Sequence, residues 1–339
     1  MQIFMPQRSG FNRNNLAFFV FLTMRILPFW LGISISLLFA CSSKQNDPIE
    51  GQSIQPIKVK RFDTAFFAID TIDVKKGVEK MSTNYPDFSK DYFTRILQLD
   101  PNKDTQEIKK YFNELLPLFK KSISVNTPEN ISSELNKTLA RFHFYFPAYK
   151  MPDELIYYIS PVSSSLNVLG EHYLGVGLQI IDYKNYSPKQ IPFYCVQNLL
   201  DDYLFNHPTE PSLLYQMIDA GKRQYILETI CLQMPDTLVW NYSSKQLKAL
   251  QEQESEIWQY LLDQHLLMSK ERIDYLNFME EADHNSLLGT SLPGNIGKYI
   301  GYKIVNAFMK KQANEKFANL EKLVATPASI IYAGVNYHP

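Results

Sequence analysis

The spacing of hydrophobic residues predicts a few short strands and a larger number of helices. Residues 57–62 alternate between apolar and polar side chains, which is typical of a strand. Residues 155–159 and 173–181 are rich in β-branched and aromatic residues, which favours two more strands with room for a third between them. Apolar positions recur near every 3.6 residues over 103–121 and 130–144, which indicates amphipathic helices. Further helices are predicted over residues 65–68, 74–81, 192–206, 210–232, 244–268, 270–280, 293–311 and 314–323.

These elements follow one another without a break that would separate domains. No linker interrupts residues 57–335 and no internal repeat is present, so the sequence predicts a single globular domain over this range. Because helices outnumber strands, we predict an α+β fold that is mainly helical, with a small β-sheet packed against the helices.

An uncharged apolar run covers residues 26–40, directly after Arg25. A spanning helix needs about 20 residues, so this run is too short to cross a bilayer comfortably. Its length is typical of a secretory signal peptide, which we predict over residues 1–40, with Met24 giving a more compact leader than the first methionine. The alternative is an uncleaved membrane helix over 16–40. It would place Arg25 near the middle of the bilayer, where insertion of an arginine costs about 2.5–3.5 kcal/mol.

The sequence Leu-Phe-Ala-Cys at 38–41 resembles a bacterial lipobox, in which small residues before the cysteine allow a signal peptidase to cut. The thiol of Cys41 then takes a diacylglycerol, so we predict Cys41 as the lipidation site and the membrane anchor. Residues 41–56 are predicted to comprise this cysteine and a polar tether. Several acyl chains would anchor the protein stably, whereas one chain holds a protein only marginally.

The charge of the chain limits the kinds of partner it can have. The formal net charge is −1, and residues 1–40 contribute three arginines and no acidic residue, so their removal lowers the charge by three to −4. A nucleic-acid-binding protein should show a basic excess, so no nucleic-acid partner is expected. A mildly acidic body is not attracted to anionic headgroups either, so the lipid itself must supply the anchoring.

The residues that catalysis requires do not form a recognisable pattern. The motifs H-E-x-x-H and G-x-S-x-G are both absent, and three cysteines are too few for a disulfide framework. Cys195 and Cys231 lie among apolar helical neighbours, and we predict both as core residues. His265 lies on an apolar stripe and is predicted as a hydrogen-bonded core histidine. The adjacent Asp201 and Asp202 favour a solvated surface over a cation site. We therefore predict no catalytic residue, no metal ligand and no cofactor.

Two glycines lie four residues apart on the predicted helix 293–311. Glycine weakens a helix by about 1 kcal/mol relative to alanine, so Gly297 and Gly301 on one face indicate a neighbour packed very close. We predict that this neighbour is another helix of the same chain.

Aromatic residues are dense between positions 142 and 158. Such residues usually fill a core, but an exposed aromatic platform can stack against sugars. A surface lipoprotein that binds glycans or nutrients is therefore an alternative function. The residues concerned are Phe142, Phe144, Tyr145, Phe146, Tyr149, Tyr157 and Tyr158.

Six stretches of the mature sequence carry a resemblance to a known family: VKRFDTAFF (59–67), YPDFSKDYF (85–93), FHFYFPAYKMPDELIYYIS (142–160), LLYQMIDAGKRQYILETICLQMPD (213–236), YSSKQLKALQEQESEIWQYLLDQHLL (242–267) and PGNIGKYIGYKIV (293–305). Through them the mature sequence resembles the gliding motility lipoprotein GldB family over nearly its whole length. The resemblance implies a membrane lipoprotein that supports gliding and the associated type IX secretion machinery through protein contacts, with no catalytic activity and no small-molecule substrate. Ser42, directly after the lipidated cysteine, is compatible with sorting to the outer membrane, which is the expected location.

The family is also distantly similar to gluzincin-like metallopeptidases, in which a small sheet precedes the helix that carries H-E-x-x-H. In this chain that helix would be 192–206, where the corresponding residues run from Gln197 to Asp201 and include no histidine. The resemblance therefore implies a degenerate zincin-like scaffold that serves as a binding body. A metallohydrolase with unusual ligands is the remaining alternative.

Overall fold

A four-stranded mixed sheet has helices packed on both of its faces. The computed structural model describes residues 47–125, 128–161, 167–179, 188–204, 211–232, 234–312 and 317–339. The strands are β1 (Lys58–Arg61), β2 (Glu154–Tyr158), β3 (Asn167–Leu169) and β4 (Tyr173–Gly177). The elements between β1 and β2 are α1 (Phe62–Phe67), α2 (Val74–Asn84), α3 (Pro86–Asp91), a π-helical turn (Tyr92–Ile96), α4 (Thr105–Val125) and α5 (Pro128–Tyr145). The elements after β4 are a 3₁₀ turn (Pro188–Gln190), α6 (Ile191–Leu204), α7 (Leu213–Ile230), α8 (Asp236–Trp240), α9 (Ser244–Glu252), α10 (Glu254–Asp263), α11 (Arg272–Met279), α12 (Ile296–Lys311), α13 (Leu320–Ala325) and α14 (Ala328–Ala333).

The sheet has the strand order β1-β2-β4-β3, and the predicted α+β class is confirmed. β2 is parallel to both β1 and β4, whereas β3 is antiparallel to β4. Parallel strands need a long crossover connection, and helices α1 to α5 supply it between β1 and β2. At the edge of the sheet, the ammonium groups of Lys58 and Lys60 each lie 2.7 Å from the carboxylate of Glu154.

Strand β2 is buried on both faces, which explains its nearly continuous apolar sequence. Successive side chains of a strand point to opposite faces. Leu155 and Tyr157 therefore belong to a larger core with α5, α6 and α7, whereas Ile156 and Tyr158 belong to a smaller core with α1 to α4.

Aromatic rings fill the smaller core. The ring of Phe62 lies 4.7 Å from the rings of both Phe88 and Tyr92, measured between centroids. The hydroxyl of Tyr92 donates to the backbone oxygen of Ile159 at 2.8 Å, which joins the π-helical turn to the end of β2. Burial raises the pKa of Tyr92, and this hydrogen bond satisfies its hydroxyl.

Helices α7 and α12 pack very closely, which confirms the interpretation of the glycine pair. A Cβ atom built on Gly301 would overlap the backbone carbonyl of Met217 on α7. A Cβ atom on Gly297 would lie 2.9 Å from Cγ of Met217 and 2.5 Å from Sδ of Met279 on α11. Both glycines therefore face neighbours of the same chain.

Two predictions about the helices of the C-terminal half are wrong. The single helix predicted over 244–268 is divided at Gln253 into α9, which begins with a capping box formed by Ser243 and Gln246, and α10. His265 is exposed and not a core residue, because α10 ends at Asp263 and His265 adopts a left-handed backbone with φ of 55°.

Candidate functional site

A cavity of about 420 Å³ lies beside α6, the first long helix after the sheet. One face of α6 and one face of α7 form two of its walls, and α8, α11 and the start of α12 complete it. Its polar and aromatic lining includes Tyr194, Gln197, Asp201, Asp219, Arg223, Trp240, Tyr275, Glu281 and Lys298.

Two asparagines with a left-handed backbone close one side of the cavity. Asn241, directly after α8, has φ of 55°, and Asn295, directly before α12, has φ of 53°. Asparagine tolerates this conformation better than most residues with a Cβ atom. The hydroxyl of Tyr242 donates to the backbone oxygen of Asn295 at 3.0 Å, which ties the two turns together.

Gln197 and Asp201 both line the cavity, as expected for residues four apart on one helical face. The side chain of Asp201 forms an ion pair with Arg223 on α7. Where the gluzincin resemblance would require two histidine ligands, the chain therefore has an amide and a carboxylate that is already paired. Among the residues that the structure describes, no group of three His, Cys, Asp or Glu side chains is arranged to hold a metal ion.

A second ion pair lies on the same face of α7. The ammonium of Lys222 is 2.8 Å from the carboxylate of Asp219, and both side chains are largely buried. Burial lowers the pKa of the Arg223 guanidinium from its ordinary value, which is a sign of its partly desolvated position. The acidic groups that α6 and α7 present to the cavity, Asp201 and Asp219, are therefore each matched by a basic neighbour.

Lys298 is the cation in the cavity that lacks such a match. Its Nζ atom lies 5.0 Å from the ring centroid of Tyr242 and 5.5 Å from that of Trp240, which are cation–π distances. It also donates to the backbone oxygen of Trp240 at 3.4 Å. Within the described part of the chain, no carboxylate lies within 4 Å of this ammonium. Burial lowers the pKa of Lys298 to about 8, and the more distant Glu281 opposes this shift.

Glu228 lies behind the cavity, between α7, α8 and α12. Burial raises the pKa of its carboxyl group, while hydrogen bonds from Tyr302 and Trp240 act in the opposite direction. Tyr302 and Trp240 also pack edge to face with ring centroids 5.0 Å apart. A partly buried acid is thus held in a small polar cluster that supports the wall of the cavity.

Both described cysteines are buried in the larger core, as predicted from their apolar neighbours. Burial raises the pKa of Cys231 to about 12 and raises that of Cys195 further. A thiol acts as a nucleophile only after it loses its proton. These two thiols are therefore structural.

The aromatic stretch at 142–149 belongs mainly to the core. Phe142 and Phe146 are fully buried, and only Phe144, at 41% exposure, presents a largely open ring. Tyr149 is half-buried, and its hydroxyl donates to Asp202 at 2.8 Å. These residues do not form an exposed platform on which a sugar could stack.

The predicted lipidation site, Cys41, lies outside the described residues. Across the described part of the chain, none of the helices combines the length and the apolar character that a membrane crossing requires.

No sequence motif indicated the cavity residues that supply positive charge and aromatic surface, which are Arg223, Trp240 and Lys298. They come from three different helices and have no characteristic spacing in the sequence. Two sequence signals lie near them: the glycine pair, which indicated that α12 approaches another helix closely, and the Gln197–Asp201 segment of the predicted helix 192–206.

Comparison with curated proteins and with solved structures found no match. The family model described as gliding motility protein GldB matches residues 42–339, which is nearly all of the chain after the apolar N-terminal run. The chain therefore belongs to the GldB family and is a gliding motility lipoprotein of the cell envelope.

Proposed function

We propose that this protein is a non-catalytic accessory protein, anchored in the outer membrane by a lipid on Cys41. It supports gliding and type IX secretion by binding other envelope proteins. The observation that carries the proposal is the cavity beside α6, where the carboxylates of Asp201 and Asp219 are engaged with Arg223 and Lys222.

The pairing of charges argues for binding and against catalysis. A general base must be free to accept a proton from a substrate, and a metal ligand must direct its lone pair at the metal. Asp201 instead faces Arg223, and Asp219 faces Lys222. The two thiols are buried in the core, so they are not available as nucleophiles either.

The cavity has the properties of a binding site for part of a partner protein. Its volume of about 420 Å³ lies in the range of known ligand sites. Aromatic walls supply apolar contact, and tyrosine, tryptophan and arginine are the residues most often found at the energetic centres of interfaces. Lys298 supplies a cation without a carboxylate partner, so an acidic side chain of the partner is the group we expect there.

Site-specific photo-cross-linking in living cells tests the proposal. A photoreactive amino acid at Gln197 lies in the cavity, and one at Ile72, which is 92% exposed, lies on the opposite side of the sheet as a control. We expect envelope proteins of the gliding and secretion machinery to be captured from Gln197 and not from Ile72. Equal capture from both positions, or none from Gln197 in cells that still glide, would contradict the assignment of the cavity.

Two further measurements test the accessory role in gliding and secretion and the non-catalytic assignment. A clean deletion should abolish spreading and reduce secretion of a type IX reporter, and normal behaviour of the deletion strain would exclude the accessory role. Metal analysis of the purified protein tests the non-catalytic assignment. Stoichiometric zinc would favour the metallohydrolase alternative instead.

A further inference from the structure

Arg141 on α5 is completely buried, and its guanidinium is held by groups from distant parts of the chain. Its Nε and Nη2 atoms donate to the two carboxylate oxygens of Asp47 at 3.1 and 2.8 Å. Its Nη1 atom donates to Glu134 at 3.1 Å and to the backbone oxygen of Ile230, the last residue of α7, at 3.4 Å. A bidentate guanidinium–carboxylate pair fixes orientation as well as distance. Asp47 is therefore held firmly against α5.

The segment after Asp47 is fastened to α5 a second time. The Asp47 carboxylate also accepts from the backbone N–H of Ile49 at 3.2 Å, and the side chain of Ile49 is buried. Farther along, the backbone N–H of Ile57 donates to the side chain of Asn136 on α5 at 3.0 Å. The segment is therefore attached to the body of the protein at residues 47–49 and again at Ile57, although the sequence predicts most of it as tether and residues 50–53 are exposed.

The attachment at Asp47 limits the length of chain that can separate Cys41 from the body of the protein. A fully extended chain advances at most about 3.3–3.6 Å per residue. A tether that was free up to Ile57 would reach about 55 Å, whereas the stretch from Cys41 to Asp47 reaches only about 20 Å. The docked segment thus removes more than half of the possible reach.

We infer that the surface around Asp47, Glu50 and the 134–141 segment of α5, which we call the anchor face, lies directly against the lipid bilayer. The inference rests on the proposed lipidation of Cys41, because the lipid is what brings the chain to the membrane. Glu50 is exposed and Lys137 is half-buried, so charges of both signs occur on this face. The length of the tether, and not attraction to charged headgroups, therefore determines which face meets the bilayer.

The anchor face also determines the position of the cavity. Arg141 holds the C-terminal end of α7 through the backbone oxygen of Ile230. Arg223 and Asp219, which line the cavity, lie about 10 and 16 Å earlier along that helix at 1.5 Å per residue. Helix α7 therefore connects the anchor face rigidly to the cavity, so the orientation of that face on the membrane also sets the orientation of the cavity.

Energy transfer from single labels to an acceptor lipid tests this orientation. The full-length lipidated protein is reconstituted in phosphatidylethanolamine vesicles that contain an acceptor-labelled lipid, with a donor on either Glu50→Cys or Ile72→Cys. Because Cys195 and Cys231 are buried, the dye attaches to the introduced thiol. We expect clearly higher transfer from position 50 than from position 72. Equal transfer from the two positions would overturn the inference.

Two variants test the cause of the orientation. Insertion of about twelve Gly and Ser residues between Asn46 and Asp47 lengthens the tether by roughly 20 Å without touching the body, so the transfer from position 50 should fall. Asp47→Ala should reduce it too, whereas Glu134→Gln, which alters another partner of Arg141, should not. Unchanged transfer after the insertion would overturn the inference. If the protein does not bind the vesicles and its Cys41 carries no lipid, both the lipidation proposal and the orientation inference are overturned. If the protein binds but transfer is equal from positions 50 and 72, only the orientation inference is overturned.

Discussion

Substitution of Gly301 by alanine is the most direct test of the packing between α7 and α12. The added Cβ atom would fall more than 1 Å short of the 3.0 Å separation that real Cβ contacts require, and the obstacle is the backbone carbonyl of Met217. A backbone cannot rotate away as a side chain can, so the two helices must separate and lose contacts around Ile218 and Ile304. Overpacking costs about 1–3 kcal/mol and sometimes more, whereas the better helix propensity of alanine returns about 1 kcal/mol. Since the obstacle here is rigid, we place the cost of overpacking at about 3–5 kcal/mol, at and above the upper end of that range, so the net loss is about 2–4 kcal/mol.

Thermal and guanidinium unfolding of the full-length protein in detergent, followed by circular dichroism, measures this loss. The expected decrease in Tm is roughly 4–16 °C at about 2–4 °C per kcal/mol. Gly334→Ala is the matched control, because its Cβ would lie 3.0 Å from the ring of Phe308 and its backbone is already right-handed with φ of −76°. It should change stability by less than about 1 kcal/mol. Wild-type stability of Gly301→Ala would refute the close packing of α7 and α12.

Three further predictions concern the buried acid, the thiols and the anchor. The pKa of Glu228 is raised above its ordinary value of 4.5, so the native state binds more protons than the unfolded state and stability falls as pH rises through the folded pKa. Glu228→Gln should therefore raise the Tm at neutral pH, with the gain disappearing below pH 4.5 in a pH series of melts; a gain that is constant with pH would contradict this. Cys195 and Cys231 should react with a thiol reagent only after unfolding, and rapid modification of the native protein would show that they are accessible. Cys41→Ser should move the protein from the membrane fraction to the soluble fraction, and unchanged fractionation would exclude the lipid anchor.

The hydrophobic pattern was sufficient to predict the sheet because burial constrains β2 and β4 on both faces. An apolar and aromatic run such as 155–159 is compatible with a buried strand and with little else of that length. Gly297 and Gly301 were equally informative, because the absence of two side chains on one helical face has a direct steric meaning. These features depend on residues that are close together in the sequence.

The features that were not predicted depend on residues that are far apart. The cavity joins α6, α7, α8 and α12, and no local spacing relates Asp201 to Arg223 or places Lys298 over Trp240. The interruption at Gln253 is equally invisible to periodicity, because α9 and α10 both keep helical spacing on either side of it. Residues 47–57 are polar enough to suggest a free tether, and only the buried guanidinium of Arg141 shows where the segment docks.

The parallel pairing of β1 with β2 has a consequence for how the chain is exported. Lys58 meets Glu154 across 96 residues of sequence, so the N-terminal third of the body cannot complete its sheet until β2 has emerged. Long-range pairings of this kind form late and leave apolar surface exposed in the meantime. We expect a chain that crosses the inner membrane N-terminus first to present Phe62 and Phe66 to water during this interval, and therefore to need a holding chaperone in the periplasm.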